Sequence, residues 1–193
     1  MSRTYRYEAI CLAFGAAECV SVDYNPVNYS HQRLSALSVK ELKAYAYARQ
    51  QEQAQAQAHR LPHLHPPPPS SPFTVAISIS SLEHDGLARY GDAVDPDADL
   101  AAIHLLSQVV EPGGHLLLAV PVGGDLVRWN MHRVYGALRL PLLLQNWTLL
   151  GAQGFDAKLL LQEPDAMAHH QPVFILENSP PAYLDTLQRL HQL

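Results

Sequence analysis

The side chains best suited to chemistry lie in two polar stretches, each following an apolar run. The first, SSLEHDGLARYGDAVDPDAD, comes directly after FTVAISI and gathers Ser80, Ser81, Glu83, His84, Asp85, Arg89, Tyr90 and Asp92. A histidine beside two carboxylates can act as a general base near neutral pH, because neighbouring charge tunes an imidazole that already titrates there. The same Ser and Asp residues can equally cap and turn a hydrogen-bonded loop. The second stretch, VPVGGDLVRWNMHRVYG, follows HLLLA and offers Asn130, His132 and Arg133. Arg133 has two readings: it contacts a substrate, or it pairs with a carboxylate of the first loop and fixes the two loops together.

A third candidate is Asp23, which ends ECVSVDY. An acidic residue at the end of the second strand of a nucleotide-binding sheet can accept hydrogen bonds from ribose hydroxyls; a strand-terminal Asp can also simply start a turn. Several other groupings carry less. His59, His63 and His65 sit in a Pro-rich tract with no Cys or carboxylate to complete a metal shell. Asp92, Asp95, Asp97 and Asp99 have the acidic density of a calcium loop but lack the central Gly and closing Glu. His169-His170 reads as a solvated loop, and Gly123-Gly124 alone makes no phosphate cradle. No metal site is expected.

The elements around the two polar stretches bring them together. FTVAISIS and HLLLAVPVG are nearly continuous apolar runs, expected of strands buried on both faces in a parallel sheet. Between them Asp97 or Asp99 caps a helix carrying Leu100, Ile103, Leu106, Gln108 and Val110, which EPGG ends. A strand–helix–strand crossover delivers both polar loops to the same sheet edge, where ligands bind in open parallel sheets. Upstream, Tyr7, Ile10, Cys11 and Phe14 keep helical spacing before Gly15, and ECVSVDY reads as a strand broken by Asn25-Pro26. A helix starts at Val39, with Ser38 and Glu41 in capping-box positions. Downstream the pattern gives a helix within Leu138–Gln145, strands in WTLLGAQGF and PVFILEN, and a terminal helix over Leu184–Leu190.

The 193 residues suit one domain, read as 1–49 and 73–193 around a low-complexity insertion at 50–72, Gln/Ala-rich and then His/Pro-rich. A net charge of −5 with scattered Lys and Arg argues against nucleic acid as a partner. Cys11 and Cys19 have no metal-ligand spacing and suggest no disulfide framework. No long apolar core follows the basic start, so no signal peptide is expected. The longest apolar candidate for a span, LRLPLLLQNWTLL, is interrupted by Arg139, Pro141, Gln145 and Asn146. A soluble, cytoplasmic protein is the expectation.

SSLEHDGLARYGDAVDPDADL and VVEPGGHLLLAVPVGGDLVRWNMHRVYGALRLPLL, in that order and at compatible spacing, closely resemble the family called domain of unknown function 268. The resemblance covers most of residues 73–150, and more thinly Tyr7–Leu37. It implies an α/β fold of the Rossmann-like, class I methyltransferase type, a three-layer sandwich. It also implies S-adenosylmethionine as cofactor; it supplies no substrate, and an unknown small molecule or glycan is the partner expected here. Ser80-Ser81-Leu82-Glu83-His84 and Val110-Glu111-Pro112-Gly113-Gly114 stand where such folds carry generic features. Under this resemblance Glu83, His84, Asp85 and His132 are the catalytic candidates, Arg89, Tyr90, Asn130 and Arg133 the substrate contacts, and Asp23, Ser80 and Ser81 the cofactor contacts. Ahead of Tyr7 there is no Gly-rich motif, so the expected sheet lacks its first strand and Gly-rich loop. A binding module without catalysis is the second expectation, and a metal-dependent hydrolase using Glu83, His84, Asp85 and His132 the third.

Overall fold

The computed structural model of the protein describes residues 6–58, 72–165, 167, 169–179, 188–190 and 192. The chain is a mixed α/β protein in two compact units, Met1–Arg60 and Leu61–Leu193. The Pro-rich tract with His59, His63 and His65, and most of the expected helix over Leu184–Leu190, lie outside the described residues.

In the first unit, α1 (Arg6–Ala13) precedes β1 (Cys19–Asp23), β2 (Leu34–Ser38) and α2 (Val39–Ala58). The strands pair in parallel, from Cys19 opposite Leu34 to Asp23 opposite Ser38. Strand β2 was not expected; LSALS runs straight into a helix with no Gly or Pro to set it off. The capping box forms as its residue types require. Glu41 Oε2 accepts from the Ser38 backbone N–H at 2.7 Å, and Ser38 Oγ accepts from the Glu41 N–H at 3.2 Å. Glu8 on α1 is held to β1 through Ser21, whose hydroxyl donates to its carboxylate at 2.6 Å.

The second unit is built on a four-stranded sheet. Its order is β3 (Phe73–Ile79), β4 (Val110–Ala119), β8 (Val173–Glu177) and β7 (Thr148–Gln153). Strands β3 and β4 are parallel; β8 runs antiparallel to both of its neighbours. Helix α3 (Ala98–Val109) makes the crossover between β3 and β4, and α4 (Arg139–Leu143) packs beside it on the same side of the sheet. There Ile103, Leu140, Leu143 and Trp147 meet Leu116, Leu118, Phe174 and Leu176 in a continuous apolar core. Residues alternate faces along a strand, and this face takes the even-numbered positions of β3, β4 and β8.

The opposite face departs from the expectation of strands buried on both sides. Val75 is 50% exposed and Ile77 40%, with Ile175 and Leu150 similarly open. The continuous apolar run of β3 therefore reports strand propensity as well as burial. EPGG also sits differently. Helix α3 ends at Val109, Val110 is already extended, and the four residues lie inside β4, with Gly113 at φ +78 where the register against β3 shifts. One-sided burial predicts a contrast. Leu118→Ala lowers unfolding stability by about 2–5 kcal/mol, whereas Ile77→Thr stays within about 0.5 kcal/mol. Chemical denaturation of both variants checks it, and equal costs would show that the outer face is covered.

Candidate active site at two paired loops

The loop from Ser80 to Pro96 leaves β3, and the stretch from Pro121 to Gly136 leaves β4. Both emerge at the carboxyl ends of these parallel strands, as the crossover requires. The second stretch is not a plain loop. It contains a hairpin, β5 (Leu126–Arg128) and β6 (His132–Val134), with Arg128 opposite His132 and Val127 opposite Arg133. Asn130 makes its turn at φ +55, a conformation that Asn tolerates better than most residues, and its Nδ2 reaches the Ala88 carbonyl at 3.4 Å.

One buried carboxylate ties the two loops to the helices. Asp99, in the first turn of α3, is fully buried. Its Oδ1 lies 2.6 Å from Arg139 Nη2 and 3.6 Å from Arg133 Nε, and its Oδ2 accepts from Arg139 Nε and the Tyr135 hydroxyl, both at 3.0 Å. Burial first, and then this neighbouring negative charge, push the Tyr135 phenol well above its ordinary value. Arg133, 1% exposed, spends its other donors on the first loop: Nη1 on the Asp85 carbonyl at 2.6 Å, and Nη2 on the carbonyls of Asp95 and Pro96 at 3.3 and 3.0 Å. Arg133 thus reaches the first loop through carbonyls and not through a loop carboxylate; the carboxylate it meets, Asp99, belongs to α3. Asp97 occupies the N-cap position of α3 without a side-chain cap bond.

Close backbone approach completes the loops. A Cβ on Gly86 would lie 2.1 Å from the Asp95 carbonyl oxygen, and φ is +72 there. Gly136 leaves room for Asp125, whose carboxylate accepts from the backbone N–H groups of Gly136, Leu138 and Arg139 at 2.8–3.0 Å. Asp92 accepts from the N–H groups of Ala88 and Tyr90, and Asp95 from that of Asp97, so these two acids shape turns. Among the described residues no group of three or more His, Cys, Asp or Glu side chains could hold a metal ion.

Glu83, His84 and His132 are brought together. Glu83, 1% exposed, sits in a short 3-10 turn over Leu82–His84. Its Oε1 accepts from the Ser80 hydroxyl at 2.9 Å and lies 3.6 Å from His84 Nε2. His84 Nδ1 contacts the Met131 carbonyl, an acceptor only, so Nδ1 is the donor. The second ring nitrogen, Nε2, is then the atom that faces Glu83. Ring centroids of His84 and His132 are 6.4 Å apart, those of His84 and Tyr90 6.0 Å, and those of His132 and His169 6.3 Å. Arg89 donates to the same Met131 carbonyl at 3.1 Å and lies over the Tyr90 ring.

Two features mark this cluster off from the rest of the fold. Glu83 Oε2 and His132 Nε2 are buried without a hydrogen-bond partner, a condition shared among the described residues only with Arg49 Nε. The described non-glycine residues with positive φ are Ser80, Ala88 and Asn130, all in these two loops. Such conformations cost roughly 1–3 kcal/mol each and gather at functional sites.

The remaining candidates have other partners. Asp23, exposed at the end of β1, belongs to the first unit, and its Oδ1 accepts from the Asn25 N–H in a turn. Ser80 uses its hydroxyl on Glu83 and accepts from Gln171, while Ser81 is exposed and lends its carbonyl to the His84 N–H. The Asp85 side chain is half-buried and its carbonyl serves Arg133. Sequence reasoning passed over Met131, Asp99 as an ion-pair centre, Tyr135, Arg139 and Asp125. It also gave His169 only a solvated role.

Two predictions follow from this geometry. Gly86→Ala lowers stability by about 2–4 kcal/mol in denaturant melts, from the strained φ and the clash together. His132 is held below its ordinary value of 6.5 by burial first, and then by the positive charge of His84, His169, Arg128 and Arg89. Its folded form binds a proton more weakly than the unfolded chain does. The stability it contributes is therefore complete above about pH 6.5 and falls as the pH drops through the depressed folded value. Denaturation curves from pH 8 to 5 are expected to lose part of this slope in His132→Gln.

Residues 69–170, more than half of the chain, match the model of a family described as Caenorhabditis protein of unknown function, DUF268. No curated protein matches the chain.

Proposed function

The chain belongs to the DUF268 family, and on that premise we propose that it is a methyltransferase-like protein whose paired loops bind a small-molecule or glycan substrate and take a proton from it. S-adenosylmethionine is the cofactor that this reading implies. The observation that carries it is the His84–Glu83 pair, its imidazole oriented by a backbone carbonyl and its carboxylate buried 3.6 Å from the second ring nitrogen. A substrate O–H or N–H that reaches His84 Nε2 can pass its proton there, and Glu83 favours the imidazolium that forms. His132, whose proton affinity is lowered first by burial and then by surrounding positive charge, lines the same cluster as a second acceptor or donor.

Topology supports the fold half of the proposal. Parallel β3 and β4 joined through α3 form the strand–helix–strand crossover expected of such an α/β sheet. The fit to the cofactor is incomplete. Asp23 offers a carboxylate suited to ribose hydroxyls. Among the described residues, however, no Gly-rich turn precedes a helix to cradle the methionine end. The proton chemistry of the loop pair stands independently of that cradle. No helix among the described residues is long and apolar enough to cross a membrane.

Titration calorimetry with S-adenosylmethionine is expected to give saturable heat. In a methyl-transfer assay over small hydroxylated compounds and glycans, His84→Ala is expected to lower turnover by about 10²–10⁴-fold with cofactor heat unchanged. Absence of heat at millimolar ligand removes the cofactor. Heat without any effect of His84→Ala or His132→Ala on turnover or ligand binding makes the chain a binding module instead.

A further inference from the structure

Several cationic or protonatable side chains of the paired loops and their surroundings converge on one point, although the loops as a whole carry more carboxylates than arginines. Around His132 stand His84 on the 3-10 turn, His169 ahead of β8, Arg128 directly across the hairpin and Arg89 of the first loop. Carboxylates of the same loops have partners of their own: Glu83 is turned to Ser80 and His84, and Asp92 and Asp125 accept from backbone N–H groups. His132 itself is 6% exposed, and its Nε2 is buried with no partner. A buried polar atom normally finds a partner, and leaving it unpaired is destabilising. The geometry also keeps the arginines in place. Arg89 is anchored on the Met131 carbonyl that orients His84, and Arg128 is fixed by strand pairing and a contact to Met167 Sδ at 3.5 Å.

We propose that His132, with Arg89, Arg128 and His169 around it, forms a subsite for an oxyanion group of a small molecule, a carboxylate or a phosphate. Guanidinium groups meet both through charge-assisted hydrogen bonds, and an imidazole N–H or imidazolium adds a further donor. The anion occupies the cationic side of the cluster, and the His84–Glu83 pair faces the part of the molecule that gives up a proton. The substrate class is thus an acidic one, a hydroxylated carboxylic acid or a phosphorylated small molecule or sugar. The subsite rests on the loop-pair reading of the site and not on cofactor binding.

The test is an NMR pH titration of the His132 ring, assigned by comparison with His132→Gln. The full chain is titrated with inorganic phosphate, with acetate, and with chloride at the same ionic strength. His104, exposed on α3, serves as the internal control. Expected is a saturable shift of the His132 signal with phosphate, acetate or both, together with a rise of its titration midpoint toward or above 6.5. The anion that saturates lower identifies the group. Arg89→Gln and Arg128→Gln, both at accessible positions, each weaken binding by about tenfold. A response no different from chloride overturns the subsite, as does one that persists unchanged in the double Arg→Gln variant. Oxyanion binding without any calorimetric response to S-adenosylmethionine removes the methyl-transfer reading and leaves this one standing.

Discussion

The second unit depends on the buried carboxylate of Asp99. Two guanidinium groups and a phenol converge on it, and each partner comes from a different place: Arg133 from the hairpin, Tyr135 just beyond it, and Arg139 from α4. A charge taken this far out of water is tolerated only when its partners are present and well placed. The same requirement fixes structure. Satisfying Asp99 places Arg133, and Arg133 in turn collects the carbonyls of Asp85, Asp95 and Pro96, so the first loop takes its shape from a residue of the second.

This fastening gives the candidate site its order. Ser80, Ala88 and Asn130 are held at positive φ because their surroundings over-determine them, and the two loops share one backbone acceptor, the Met131 carbonyl. Catalytic groups work best when packing and hydrogen bonds lock them in advance. Glu83 and His132 bring buried polar atoms with no internal partner to this fixed frame. Among the described residues of this unit, positive φ at non-glycine residues and buried side-chain polar atoms without a partner occur in these two loops alone.

Much of this was legible in the sequence, for identifiable reasons. Ser38 and Glu41 form their capping box because the motif is local. The pairing of the Ser80 and Asn130 loops followed from the crossover alone, since a parallel βαβ unit can deliver them to no other edge. What stayed hidden is non-local or independent of residue type. The carbonyls that Arg133 collects could belong to any residue. Asp99 looked like one acid in a run of four until its burial set it apart. The hairpin was masked by short strands of three residues on either side of Asn130. The outer sheet face was read as buried because β-branched residues favour strands whether or not anything covers them.

The central claim is that the Asp99–Arg133 contact couples the two loops. A double-mutant cycle in unfolding free energy, using Asp99→Asn, Arg133→Met and the pair, tests it most directly. The account predicts a coupling of about 1–3 kcal/mol, because each single change removes one opposite charge from a buried pair whose remaining contacts, Asp99 to Arg139 and Tyr135 and Arg133 to three carbonyls, stay in place. Effects that add to within about 0.5 kcal/mol would contradict it. The two loops would then be held by the backbone alone.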